Sequence, residues 1–255
     1  MLGLLKGWSG SIDKDSVAAT VYSFMMNFFQ TSLFHAQVES DTSNRILYTD
    51  NYLFNSIKPR IVEMAANDGP KSIFNPLCKK GFEDYEYKEG GNHCAYNLAR
   101  SFVAAKQYLS ENVSPRSEDW KWGSLIVKDW VNLPWSRTPL KPFFHRQAAT
   151  QGNVNTVDVS RYFVNFNDTL IHSTQGAVYR QIIEMGPSNP DENDLFSLDT
   201  GINENPLQGN YFDMNAHHRT GQLNRMLPLD QLDQSEMKHL KLMPPIEAQD
   251  DHDEL

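Results

Sequence analysis

The two cysteines of this 255-residue chain, Cys78 and Cys94, enclose the loop 79–93. A disulfide between them would require an oxidising compartment, and two free thiols are the alternative in a reducing one. A zinc site would need two further ligands and would have to draw on His93 and His35. The sequence leaves the disulfide and the free thiols open and gives little support to zinc.

The other histidines lie in no recognisable catalytic motif. His217 and His218 are adjacent, so in an extended segment their rings would point in opposite directions, and we predict that both are surface residues. His145 and His172 come near the starts of predicted strands, with no Ser or Cys at a motif spacing. The chain contains no G-x-S-x-G, H-E-x-x-H, P-loop or G-x-G-x-x-G motif.

Glu184 is the carboxylate whose position is most informative. It ends a predicted strand, on the same face as Arg180 and Ile182. There it either pairs with Arg180 or stands at the strand terminus beside a functional site. The ion pair is the simpler interpretation, and a supporting catalytic role is the alternative.

The elements that would position these residues follow an order of helices first and strands second. Apolar residues at helical spacing predict helices at 13–37, 51–66 and 94–111, the first capped by Ser11 or Asp13. Strands are predicted around 125–127, at 156–166 and at 177–185, before a loop-rich region at 191–245. This order predicts an α+β fold rather than alternating βαβ units.

Composition and charge exclude several classes of protein. Hydrophobic residues make up 40% of the chain and charged residues 22%, which is typical of a folded globular protein. The net charge of −9 argues against binding to nucleic acid or anionic membranes, which requires a surplus of Lys and Arg. No run of about 18 apolar residues is present, so no membrane span is predicted.

The end of the sequence differs in character from the rest. We expect residues 1–245 to form the folded part and residues 246–255 to form an acidic flexible tail. The tail ends in His252-Asp253-Glu254-Leu255, the retrieval signal of the endoplasmic reticulum lumen, which predicts that location. The first residues do not resemble a secretory signal, which argues against it. Glycosylation sequons at Asn167 and Asn112 are compatible with a lumenal protein.

Several segments, taken in order, resemble the C-terminal half of the β chain of the penicillin amidases, which are N-terminal-nucleophile hydrolases. LKGWSG (5–10) and DSVAATVY (15–22) resemble that family's entry into a long helix. The other similar segments are WKWG (120–123), GNVNTVDV (152–159) and GAVYRQIIEM (176–185). The loop GINENPLQGNY (201–211) retains only part of the family's G-Q-S-G-x-P-x-S-P-H-Y pattern.

The resemblance implies a fold, a reaction and partners. The fold would be part of an αββα sandwich, incomplete without upstream chain. The reaction would be hydrolysis of a linear N-acyl amide through an acyl-enzyme, with an N-terminal serine as the nucleophile. That serine, the oxyanion donors and the family's calcium ligands would lie upstream, so we expect no cofactor in this chain. The partners would be the remainder of the precursor, including the α chain, and a small acyl-amide substrate.

Two functional hypotheses follow. In the first, the chain is the C-terminal part of a penicillin-amidase-type amidohydrolase and is inactive alone, with Glu184 in a supporting role. In the second, it is a non-catalytic subunit or binding protein that retains the scaffold. Hydrolysis of acyl anilides by the isolated chain would contradict the expected absence of the nucleophile.

Overall fold

A computed structural model describes the chain over most of its length. The described residues are 2–34, 60, 62–63, 67, 69–71, 73, 75–78, 91–153, 156–162, 170–185, 194–227 and 231. The helix predicted at 51–66 lies largely outside them, and the sequon at Asn167 and the tail 246–255 lie outside them entirely. Within the described part, no helix is both long and apolar enough to cross a membrane.

Seven α-helices are described, of which two are long. They are α1 (Leu2–Lys6), α2 (Val17–Phe34), α3 (Asn75–Cys78), α4 (His93–Asn112), α5 (Trp122–Leu125), α6 (Lys141–Phe144) and α7 (Asn215–Thr220). Short 3-10 turns occupy Gly69–Lys71, Ser117–Asp119 and Gly209–Tyr211. The predicted helices at 13–37 and 94–111 are confirmed as α2 and α4.

The two long helices begin where a side chain caps the first turn. Ser16 Oγ accepts a hydrogen bond from the backbone N–H of Ala19, at 3.1 Å, so neither Ser11 nor Asp13 is the cap of α2. In α4 the side chain of Asn92 accepts from the N–H of Ala95. Each cap satisfies an N–H group that has no partner within the helix.

Helices α2 and α4 pack against each other and form the centre of the apolar core. Val21 and Phe29 from α2 and Ala105 and Leu109 from α4 are almost completely buried. The W-x-W-G segment also belongs to the core, since Trp120 and Trp122 are buried in it. This motif therefore anchors the following strand to the helices.

In the described part of the chain, seven strands form two sheets. They are β1 (Ile126–Trp130), β2 (Arg146–Ala149), β3 (Ser160–Tyr162), β4 (Ile171–Gly176), β5 (Tyr179–Ile182), β6 (Leu195–Leu198) and β7 (Asn224–Arg225). The first sheet has the order β2-β1-β4-β3, with β1 and β4 parallel and the other neighbours antiparallel. The second sheet is antiparallel, in the order β5-β6-β7.

The α+β prediction is confirmed, with differences in the strands. The strand predicted at 177–185 is shorter, as β5, and that at 156–166 is described only as β3. Sequence patterns did not reveal β2, β4, β6 or β7, and the last two, with α7, lie in the region predicted to be loop-rich. These strands are short, and pairing with distant segments rather than periodicity determines them.

Candidate functional site

A cleft of about 710 Å³ lies between the end of β1, the segment before β2 and the loop after β6. We call it the aromatic cleft. Five rings line it, those of Trp130, Trp135, Phe144, Tyr211 and Phe212. Clefts of this size with apolar walls and few polar groups are typical of small-molecule sites.

The rings hold one another in place in two pairs. Trp135 stacks on Phe144 with centroids 5.3 Å apart, and Trp130 meets Phe212 edge to face at 5.1 Å. The hydroxyl of Tyr211 donates to the carbonyl oxygen of Phe144 at 2.6 Å. The loop after β6 is thereby tied to α6, so both walls of the cleft are positioned by specific contacts.

One carboxylate of the cleft lining, Asp199, belongs to a buried ion pair. Lys128 Nζ lies 3.2 Å from Asp199 Oδ2, and the side chains are only 11% and 9% exposed. The indole N–H of Trp130 donates to the same oxygen at 2.8 Å. Because Lys128 is on β1 and Asp199 follows β6, this pair also joins the two sheets.

Arg146 is a further charged residue in the lining. Its Nη1 donates to the carbonyl oxygens of Phe143 and His145, at 2.7 and 3.0 Å. Its guanidinium carbon lies 5.1 Å from the centroid of the Tyr211 ring. This cation–π contact and the two carbonyls fix the guanidinium against the wall.

The loop 201–211 requires glycine at its first position. The N–H of Gly201 donates to the carbonyl oxygen of Tyr211, and a Cβ added at Gly201 would lie 2.0 Å from the carbonyl oxygen of Asn210. A side chain at this position would force the two sides of the loop apart. Gly201 therefore permits the close approach that brings Tyr211 to the cleft.

A second polar group lies on the opposite face of the first sheet. Asp129, with a side chain 8% exposed, contacts His172 Nδ1 at 2.6 Å and His145 Nε2 at 3.3 Å. Gln147 Nε2 donates to the same carboxylate at 2.8 Å. Side chains alternate along β1, so Asp129 faces away from Lys128 and Trp130. This cluster joins β1, β2 and β4.

His218 is buried, so the prediction of a surface residue is wrong for it and holds for His217, which is exposed. Its Nε2 lies 3.0 Å from the carbonyl oxygen of Ala177, and its Nδ1 lies 3.1 Å from Ser197 Oγ. Burial, and then the positive charge of Arg180, lower the pKa of His218. The contacts fit a neutral ring that donates from Nε2 and accepts at Nδ1.

The sequence-selected residues are not brought together at the cleft. Cys78 and Cys94 are joined by a disulfide that ties α3 to the start of α4, in the helical layer. Glu184 is exposed just beyond β5, and its backbone N–H donates to Asp194. The partner of Arg180 is Asp158, which disagrees with the simpler interpretation of Glu184 as its partner. Asn112 is the last residue of α4.

Metal ligands do not cluster in the described part of the chain. It contains no group of three or more His, Cys, Asp or Glu side chains arranged to hold a metal ion. The resemblance places the family's calcium ligands upstream of this chain, and the expectation that the chain holds no cofactor stays a prediction.

Comparison with known families decides the assignment. The model of the penicillin amidase family matches residues 1–232 of this chain. The chain belongs to the penicillin amidase family. No curated protein matches the chain. The predicted family is thus confirmed, and family membership together with the α+β structure supports an N-terminal-nucleophile hydrolase fold and an amidohydrolase type of function.

The penicillin amidase motifs map to identifiable structural roles. The helix entry at 15–22 begins α2, W-x-W-G lies in the core, and the loop 201–211 forms a wall of the aromatic cleft. Sequence patterns did not single out Arg146, Asp199 or Asp129. The sequence carries such an indication only in β1, where two charged residues, Lys128 and Asp129, follow an apolar run. Charged side chains in a buried strand need partners of opposite charge or hydrogen-bonding groups.

Proposed function

We propose that this chain takes part in the hydrolysis of linear N-acyl amides through an acyl-enzyme, and that the aromatic cleft binds the apolar part of the substrate. The observation that carries the proposal is the family match over residues 1–232, to which the structure adds one ring-lined cleft of suitable size. Burial of a flat acyl group among these rings would supply binding energy without further polar contacts.

The proposed contribution of the described residues is binding and exclusion of water. Trp135 and Phe144 would contact the acyl group, and the ion pair with Lys128 would hold Asp199 in its place in the lining. The motifs matched here are the family's helix, W-x-W-G turn and late strands, and the serine nucleophile is not among them. The proposal therefore includes binding without turnover by the 255-residue polypeptide, the nucleophile coming from another segment of the family polypeptide.

The supporting role of Glu184 stays a prediction. Glu184 does not line the aromatic cleft, and its side chain is exposed. A general base acts within hydrogen-bond reach of the reacting group. We therefore assign the binding function to the cleft without using Glu184.

The binding step can be tested with a neutral amide, N-benzoylglycinamide, titrated against the 255-residue polypeptide while tryptophan fluorescence is recorded. We expect a saturable change, because two of the five rings of the cleft are indoles. Phe144→Ala removes the ring stacked on Trp135 and should weaken binding by roughly tenfold.

Phe143→Ala is the matched control. Phe143 is adjacent in sequence and 57% exposed, but it does not line the cleft, so its removal should leave the affinity unchanged. Equal losses in the two variants, or no saturable binding at all, would contradict the assignment of the cleft. Release of benzoate by the polypeptide would contradict the expected absence of turnover.

A further inference from the structure

We propose that the segment between β1 and β2 binds the surface of an anionic lipid bilayer. The segment is residues 131–145, and we call it the proline-rich loop because it contains Pro134, Pro139 and Pro142. The inference goes beyond the proposed function and does not depend on it, since it concerns the outer surface of the loop rather than a ligand inside the aromatic cleft.

The first step of the argument is the exposure of apolar side chains on the loop. Leu133 is 81% exposed, and the other large apolar residues exposed there are Val131, Trp135, Leu140 and Phe143. Val131, Leu133 and Trp135 also line the aromatic cleft, so they lie around one opening. Ile202, on the facing wall of the cleft, is exposed as well. Exposed apolar surface of this kind marks contact with another molecule or with a membrane.

The second step is the local charge. Arg137 and Lys141 are exposed, and neither forms an ion pair with a residue that the structure describes. Residues 131–157 contain no Asp or Glu. The net charge of −9 argues against anionic membranes for the chain as a whole. Salt screens charges beyond about 10 Å, however, so a bilayer in contact with the loop meets mainly the positive charge of the loop.

The third step is that the polar groups of the loop are largely satisfied within it. Its prolines have no N–H group, and the hydroxyls of Ser136 and Thr138 donate to the carbonyl oxygens of Leu133 and Trp135, at 3.0 and 2.9 Å. Backbone N–H groups that donate to carbonyl oxygens of the same loop are those of Trp135, Ser136, Thr138, Lys141, Phe143 and His145. Contact with the apolar part of a bilayer therefore leaves few polar groups without a partner.

The fourth step is the combination of residue types. Exposed Trp, Leu and Phe beside Lys and Arg are typical of segments that lie at the boundary between lipid headgroups and acyl chains. Leu133 and Phe143 would enter this boundary, and Trp135 would lie at the level of the headgroups. The long side chains of Arg137 and Lys141 would reach the lipid phosphates and carboxylates. An anionic bilayer thus fits the apolar surface and the charge together.

The test is flotation of the 255-residue polypeptide with lipid vesicles in a density gradient. One set of vesicles is phosphatidylcholine alone, and the other contains equal parts of phosphatidylcholine and phosphatidylserine. We expect the wild type to bind the anionic vesicles about tenfold more tightly than the neutral ones, and high salt should lower this preference. No flotation with either set, or equal binding to both, would overturn the proposal.

The contribution of the apolar side chains is tested by Leu133→Ser/Phe143→Ser. It should weaken binding to anionic vesicles by roughly 10- to 100-fold, because two apolar side chains no longer leave water. Ile182→Ser/Met185→Ser is the matched control at another exposed apolar position and should bind like the wild type. Equal losses in the two double variants would overturn the assignment to the loop. Leu133→Ser alone keeps the test available if the double variant does not fold, as judged by circular dichroism.

The contribution of charge is tested by Arg137→Gln/Lys141→Gln, which should remove most of the preference for anionic vesicles. Lys6→Gln/Lys106→Gln removes the same charge from exposed positions on α1 and α4 and should retain the preference. Glu204→Gln removes an exposed carboxylate from the facing wall of the cleft and should strengthen binding slightly. A preference that persists without the charges of the loop, or is lost in the control, would overturn the proposal.

Two further outcomes identify the partner and separate this proposal from the proposed function. Self-association of the wild type in gel filtration without vesicles, abolished by Leu133→Ser/Phe143→Ser, would identify a second copy of the chain as the partner and overturn the bilayer. No measurement here uses an amide ligand. Failure of vesicle binding therefore leaves the proposed function standing, and failure of amide binding in the cleft leaves the bilayer proposal standing.

Discussion

At the scale of single residues, His218 shows how a surrounding structure changes the chemistry of a side chain. Both ring nitrogens have partners, Ala177 O and Ser197 Oγ, and the ring is buried. Burial disfavours the charged imidazolium, and Arg180 adds a like charge nearby, so the pKa is lowered. The folded state therefore holds His218 neutral at a pH where an unfolded chain would protonate it.

This difference predicts that stability falls in mild acid. Below the ordinary histidine pKa of 6.5 the unfolded chain binds a proton that the folded chain does not, so the free energy of unfolding decreases as pH falls towards the lower folded pKa. His218→Gln should remove this part of the pH dependence. The measurement is the urea midpoint at pH 7.5 and 5.5, between which we expect the wild type to lose more stability than the variant.

His217→Gln serves as the control, because His217 is the exposed neighbour in the same helix. It should show the wild-type pH dependence. If His218→Gln and the wild type lost equal stability between the two pH values, the neutral state assigned to His218 would be wrong.

At the scale of elements, the disulfide and the Asp129 cluster each join segments that have weak local preferences of their own. Helix α3 has only four residues, and Cys78 at its end is tied to Cys94 in the first turn of α4. Asp129 holds β1 to His145 beside β2 and to His172 in β4. Such short elements are stable because of these contacts, since isolated short helices and strands are not.

Reduction of the disulfide should therefore destabilise the helical layer. The bond closes a loop of 15 residues, for which the loss of chain entropy in the unfolded state corresponds to about 3 kcal/mol. Urea unfolding of the wild type with and without reductant measures this difference. Cys78→Ala/Cys94→Ala should show the lower stability and no response to reductant, and a response in that variant would show that the reductant acts elsewhere.

Removal of the Asp129 carboxylate should destabilise the first sheet. Asp129→Ala leaves His145, His172 and Gln147 without their common acceptor, so we expect a loss of about 1–3 kcal/mol in the free energy of unfolding. Asp13→Ala, at an exposed position, is the comparison and should cost little. A similar small cost for both would mean that the cluster does not stabilise the sheet.

At the scale of the whole molecule, exposed apolar residues lie at and just beyond the end of β5 in the second sheet. Ile182, Ile183 and Met185 are 54%, 49% and 92% exposed, and β5 is the outer strand of that sheet in the described structure. Apolar side chains on an outer strand form a surface to which other chains or hydrophobic dyes bind. This surface is separate from the aromatic cleft.

We expect the folded polypeptide to bind a hydrophobic dye such as anilinonaphthalene sulfonate at this surface. Ile182→Thr/Met185→Thr should lower the dye fluorescence, because it removes two of the three exposed apolar side chains of this surface. Leu207→Thr, at a position 82% exposed in a different loop, should leave it unchanged. A folded wild type without dye fluorescence would contradict the prediction.

Much of the fold could be predicted from local patterns. The apolar spacing of α2 and α4 reports directly on burial along one helix face, and both helices were found within a few residues of their predicted ends. The family motifs were also visible in the sequence, and the family match agrees with them. The α+β order followed from these same elements.

The tertiary structure alone decided the candidate site. Arg146 meets the ring of Tyr211, and Lys128 meets Asp199, through contacts between segments far apart in the chain, the latter pair being 71 residues apart. His218 is buried because α7 packs beside β6, which no neighbour in sequence indicates. Periodicity records how a segment interacts with its surroundings on average, whereas a cleft depends on which distant segments meet, and that is determined by the packing of the whole chain.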